Sequence, residues 1–112
     1  MDECRNREIY RQSLKVNRDA FADGEYGIAY HALLLALECA QKLPDLEHVS
    51  EVIRLADKQS RFIDDHHPEH IYSSKAASQR GNMGLFQTAA QKARILMQAM
   101  KNWNAEEQTT SK

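Results

Sequence analysis

The chain has 112 residues, 42% of them hydrophobic and 28% charged, with a formal net charge of −1. That length builds one core without metal or disulfide staples, and the balance is that of a folded domain, not a disordered one. Near-neutral charge argues against a nucleic-acid partner, which needs many lysines and arginines on phosphate. The absence of an apolar run of about 18 residues argues against a membrane span.

The N-terminus, "MDECRNREIYRQ", has no apolar signal region. Cys4 and Cys39 are isolated thiols, so a reduced, cytoplasmic chain is expected. The first predicted helix spans about 2–22. Ile9, Ser13, Val16 and Ala20 recur at helical spacing and mark its inner face, widened by Tyr10, Leu14 and Phe21. Arg7, Arg11, Lys15 and Arg18 form a basic stripe on another side. The stripe reads as a solvated face, with Glu8 pairing with Arg11 and Lys15 with Asp19. Its functional reading is a docking patch for an acidic protein segment.

Asp23-Gly24 ends this helix, because glycine takes the left-handed conformation of a helix stop. The second helix spans about 25–43 and is apolar nearly all round, which predicts the most buried element. Pro44 cannot continue it, and Asp45 suits the N-cap of a third helix. There Leu46, Val49, Ile53, Ala56, Ser60 and Ile63 alternate at three and four residues. The third helix ends near "DDHHP", since Pro68 disfavours helical geometry in the residue before it. A short helix is expected over 69–80, opened by Pro68 and closed by Gly81-Asn82. A last helix runs from about Met83 or Leu85 to Trp103, with Phe86, Ala89, Ala93, Leu96, Met100 and Trp103 on one face. Residues 104–112 read as a polar flexible tail.

The pattern predicts a single all-α domain over 1–103, with four main antiparallel helices and one short one. Gly24-x-Tyr26-x-x-Ala29, followed by Leu33 and Ala36, resembles the tetratricopeptide repeat. The resemblance implies a helical hairpin whose second arm starts at the aromatic, with small residues where helices approach closely. Gly84-x-Phe86-x-x-Ala89 repeats the pattern, so it covers about 65 residues in two blocks. The chain departs from the family at Ser13, where a large aromatic is usual, at Asn17, where Gly or Ala is usual, and at Ala20, where Tyr is usual. The proline expected after the second helix would fall at Gln41, but stands at Pro44. At the family's period of 34 residues Ala29 would recur at Ile63, which is no match. A plain four-helix bundle therefore stays open beside the repeat-like arrangement.

Two stretches carry candidate chemistry. "DDHHPEH" gathers Asp65, His66, His67 and His70, residue types that ligate zinc and other transition metals. Arg61-x4-His66 resembles in spacing the Arg-His pair of the HEPN family of helical ribonucleases. There the arginine would hold phosphate and the histidine move a proton. The aromatic after the histidine is absent, and Phe62 stands where a polar residue is frequent. Ser73-Ser74 has no base nearby in sequence, and "QRGNMG" lacks the lysine and preceding strand of a phosphate loop. No cofactor is expected. The leading expectation is a non-catalytic protein-interaction module that binds a protein partner or itself as a homodimer. The ribonuclease and metal-binding readings stand as alternatives.

Overall fold

The computed structural model describes the backbone of residues 2–110 and the side chains of residues 2–105. Five helices follow in order: α1 (Glu3–Ala22), α2 (Tyr26–Ala40), α3 (Glu47–His66), α4 (Ser74–Gln79) and α5 (Leu85–Thr110). No strand occurs among the described residues. The fold is the expected all-α arrangement. α1 packs chiefly on α2 and α3 chiefly on α5, while α2 also touches α3 and α5. The molecule is thus two helical hairpins laid together, 54 × 29 × 18 Å overall.

Each helix end has a local cause. The Asp2 carboxylate accepts from Arg5 N–H at 2.7 Å and caps α1. Gly24, at φ 78°, closes α1. Its N–H binds the Phe21 carbonyl, and Glu25 N–H binds Ala20, the two crossed bonds of a Schellman stop. Gly81, at φ 76°, ends α4 in the same way, with Gly81 N–H on Ser78 and Asn82 N–H on Ala77. At the start of α5, Gly84 N–H donates to the Gln87 side chain three residues on, at 3.2 Å, half of a capping box. The two glycines of the repeated pattern therefore differ in role: Gly24 stops a helix, whereas Gly84 precedes one.

Four boundaries differ from the sequence expectation. α2 ends at Ala40, and Leu43 is buried in the turn beyond it. Asp45 lies outside α3, yet its carboxylate still accepts from Glu47 N–H at 3.1 Å. The short helix covers only Ser74–Gln79, because Ser73, not Pro68, caps it. The buried Ser73 hydroxyl donates to the Pro68 carbonyl at 2.6 Å and accepts from Ala76 N–H. Finally, α5 continues through the polar stretch to Thr110, and Trp103, placed on the core face by its spacing, is 65% exposed. Residues 111–112 of the expected tail lie outside the described residues.

The main correction concerns which faces turn inward. On α1 the buried residues are Asn6, Tyr10, Ser13, Leu14 and Asn17, while Val16 is 48% exposed. On α3 they are Val49, Val52, Ala56, Gln59 and Ile63, so Gln59 holds the place expected for Ser60. The cause is a buried amide cluster. Asn17 Nδ2 donates to the Ala29 carbonyl at 2.7 Å and to Gln59 Oε1 at 3.0 Å, and Gln59 Nε2 returns a bond to Asn17 Oδ1 at 2.6 Å. Both Asn17 amide hydrogens and its oxygen are thereby used, as a buried amide requires. Three helices, α1, α2 and α3, meet at this point. α2, expected to be buried all round, shows Ile28 and Leu35 to solvent.

Removing one amide leaves its partner buried and unpaired. Asn17→Leu or Gln59→Met alone should each lower unfolding free energy by about 2–3 kcal/mol. The double replacement Asn17→Leu/Gln59→Met should cost clearly less than the sum of the single changes, because no polar group is stranded. Urea unfolding of the four proteins measures this, and simple additivity would contradict the pairing.

Candidate functional site: the groove between α1 and α3

Above the amide cluster lies a groove of about 830 Å³. The last turn of α1 supplies Arg18, Phe21 and Ala22, the tight turn supplies Asp23 and Gly24, and α2 begins it with Tyr26. The far wall is one stripe of α3: Leu55, Lys58, Gln59, Phe62 and His66, with Arg61, Asp65 and His67 at the rim. These positions recur at three and four residues, so one helical face presents them together. Gln59 reaches the groove from its buried amide pair, which ties the groove floor to the packing of α1 on α3.

The groove has an aromatic lining. Phe62, 40% exposed, stacks on His66 at 4.3 Å and meets Phe21 edge-on at 5.5 Å. Phe21 in turn contacts Tyr26 at 4.8 Å and the fully buried Phe86 at 5.9 Å. The aromatic row thus runs from solvent into the core, and such contacts hold ring orientation beyond simple burial. Around it stand three strong cations. Arg18 pairs with Glu51 at 3.2 Å. Lys58 and Arg61 form no ion pair among the described residues. Asp23 and Asp65 are the carboxylates on the groove lining. The arrangement offers two free cations beside an exposed aromatic ring, a setting for a carboxylate or phosphate attached to an apolar group.

The candidate residues from sequence separate into three places. Arg61 and His66 do share the groove. His66 Nδ1 lies 3.1 Å from the Phe62 carbonyl. A carbonyl only accepts, so Nδ1 carries the hydrogen and the Nε2 atom is left for other partners. The metal candidates do not converge. Asp65, His66 and His67 line the groove, whereas His70 stands behind Tyr26, meeting its ring edge-on at 5.0 Å, stacks on Tyr72 and accepts Tyr72 N–H on Nδ1 at 3.1 Å. No group of three or more His, Cys, Asp or Glu placed to hold a metal ion occurs among the described residues. Asp64, from the same cluster, accepts from Ser74 N–H and Oγ at 2.7 Å each, which fastens α4 to α3.

The basic stripe of α1 divides. Lys15 binds Asp19 at 2.8 Å, as its spacing predicts. Glu8 accepts from Gln12 at 3.5 Å instead of meeting Arg11. Arg7 holds Glu3 at 2.8 Å and approaches Asp45 at 3.7 Å. Arg7, Arg11 and Arg18 line a second, smaller cleft of about 310 Å³ with Tyr10, His48 and Glu51. This end is braced: Tyr10 donates to the His48 carbonyl at 3.1 Å, and its ring meets the His48 ring edge-on at 4.8 Å. Burial, aided by the charge of Glu51, pushes the Tyr10 hydroxyl well above its ordinary range.

Sequence reasoning missed Lys58 and Gln59. Both stand on the stripe with Leu55 and Phe62, and reading α3 by its polar as well as its apolar period would have found them. Comparison with known proteins finds no match to a family model, a curated protein or a solved structure.

Asp45 gives a pH test of the braced end. Partial burial opposes ionisation, but the hydrogen bond and charge of His48, then Glu47 N–H and Arg7, outweigh it and hold the carboxyl below its ordinary 3.8. The folded value being the lower one, Asp45 contributes stability above about pH 4 that is lost as pH falls through the folded value. Asp45→Asn should therefore reduce the acid-induced fall in melting temperature below pH 4, measured by circular dichroism. An unchanged acid limb would remove Asp45 from that role.

Proposed function

We propose that the protein is a non-catalytic, cytoplasmic interaction module whose α1–α3 groove grips an acidic segment of a protein partner. One observation carries the reading: Lys58 and Arg61, both without ion-pair partners among the described residues, line the same groove as the exposed Phe62 ring. An acidic side chain would take the cations, and a neighbouring apolar side chain would lie on Phe62 and Leu55. The two successive hairpins favour a tetratricopeptide-like arrangement. So do the buried alanines Ala29 and Ala89, one turn into α2 and α5. Two free thiols, Cys4 exposed and Cys39 buried, suit a reducing compartment.

The partner patch thus moves from the α1 stripe to α3. Of the four stripe residues, only Arg18 reaches the groove, and Glu51 already holds it. Lys58→Glu/Arg61→Glu should weaken binding of acidic, aromatic-containing peptides at least about tenfold, a loss of about 1.4 kcal/mol or more. Melting temperature should stay unchanged, since both side chains are exposed. Fluorescence anisotropy with a set of labelled peptides reads both wild type and variant. Equal binding by the two proteins would overturn the groove assignment.

A ribonuclease reading rests on Arg61 and His66 lining the same groove with His66 Nε2 open. It predicts RNA cleavage by the wild-type chain, lost in Arg61→Ala and in His66→Ala. The interaction reading predicts no cleavage by any of the three.

A further inference from the structure

The α1–α3 groove does not end at Arg18. A cleft of about 260 Å³ continues from it, lined by Arg18, Glu51, Arg54, Leu55 and Lys58. The cleft of about 310 Å³ that holds Arg11 and Tyr10 comes next and shares Arg18 and Glu51 with it. α1 and α3 run the same way beneath these openings. Tyr10 meets His48 at one end, Asn17 meets Gln59 midway and Phe21 meets Phe62 at the other. The three openings are therefore successive stretches of one furrow along the two helices.

At its narrow end the furrow is rich in cations. Arg11 and Arg54 are exposed and form no ion pair among the described residues. Arg54 donates only to Ser50 Oγ, at 3.0 Å. Glu51 is the one carboxylate among the described residues that line the two clefts. Its bridge to Arg18 crosses from α3 to α1 at 3.2 Å. The Tyr10 hydroxyl lies within reach of the same charges. Burial raises its pKa most, Glu51 adds to the rise, and Arg18 and Arg54 oppose it. Both ends of the Arg18–Glu51 bridge are more than a third exposed. Ion pairs of that kind contribute little, so another carboxylate can replace Glu51 at small cost.

We propose that Glu51 is the built-in occupant of a second carboxylate subsite, formed by Arg11, Arg18 and Arg54, and that a bound segment displaces it with an acidic residue of its own. The subsite extends the groove's grip on an acidic segment, and so rests on that reading. The group it takes is a carboxylate because the chain already places one there. From Lys58 and Arg61 back to Glu51 and Arg54 is seven residues of α3, about 10 Å along the helix axis. An extended chain covers that distance in about three residues. The furrow thus selects a segment with an apolar and an acidic residue at the groove and a second acidic residue three positions away. Glu51 competes for Arg18, so it weakens binding of every segment that carries the second acid, and a single acid at the groove is outside its influence.

Fluorescence anisotropy with two sets of labelled peptides of equal length tests this. One set carries a tryptophan beside one aspartate, among serines. The other adds a second aspartate three positions away, on either side of the tryptophan. On the wild type the second aspartate should tighten binding about tenfold in one of the two orders. Arg11→Ala/Arg54→Ala should abolish that gain and leave the one-aspartate peptides unaffected. Glu51→Gln should enlarge the gain severalfold, because Arg18 is released. The three side chains are at the surface, and circular dichroism checks that each variant is folded. One-aspartate binding with no gain from the second aspartate would overturn the subsite and leave the groove reading standing. So would a gain that neither Arg11→Ala/Arg54→Ala nor Glu51→Gln alters. No binding of either set to the wild type would overturn the groove reading, and the subsite with it.

Discussion

The buried pair of amides between Asn17 and Gln59 sets the geometry of the rest. Two neutral side chains exchange two hydrogen bonds, and Asn17 spends its remaining hydrogen on the Ala29 carbonyl of α2. Such a cluster stabilises only when complete, since each unmade bond would leave a polar group without water or partner. Unlike a leucine contact, it accepts one register and one rotation. α1 must turn its 6, 10, 13, 17 face inward, and α3 must bring residue 59 to meet it. Apolar burial of Leu33, Leu37, Ile63 and Phe86 supplies the driving force, at about 1.5–3 kcal/mol for each large side chain. The amides choose which arrangement of the helices that burial produces.

Two surfaces follow from that choice. With Asn17 inward, Val16, about 100° further round the helix, is pushed to the solvent side beside Ile28 and Leu35. An apolar face is left open on the first hairpin. With Gln59 inward, the α3 stripe of Leu55, Lys58 and Phe62 faces the end of α1 and forms the groove wall. The two surfaces share a structural cause but not a chemistry. The groove is cationic and aromatic, while the open face is lined chiefly by apolar side chains. The first suits an acidic ligand.

The helices were legible in the sequence because their punctuation is local. Gly24 and Gly81 require left-handed backbone, Pro44 forbids continuation and Asp2 caps the helix that follows it, whereas the Ser73 cap was passed over in favour of Pro68. The inward faces were less legible. A reading that follows the spacing of the apolar residues selects Val16, fills its period with Ser60, and overlooks that a buried amide with partners on two other helices serves as a core residue. Those partners lie 12 and 42 positions away, at Ala29 and Gln59, beyond any local period. The departure from the tetratricopeptide pattern at Asn17, where Gly or Ala is usual, was the visible sign. Likewise "DDHHPEH" reads as one cluster in sequence, yet successive α3 positions send Asp64 to α4 and Asp65 and His66 to the groove, and the turn after Pro68 carries His70 to Tyr72. Composition brings residue types together, and backbone direction decides whether they meet.

Hydrogen exchange of the side-chain amide groups, followed by nuclear magnetic resonance, tests the central claim most directly. The Asn17 side-chain NH₂ should exchange as slowly as the backbone amides at the centre of α2, because both hydrogens are bonded inside the protein. Exchange as fast as that of an exposed glutamine such as Gln12 would show that the cluster does not form, and would contradict its control of both surfaces.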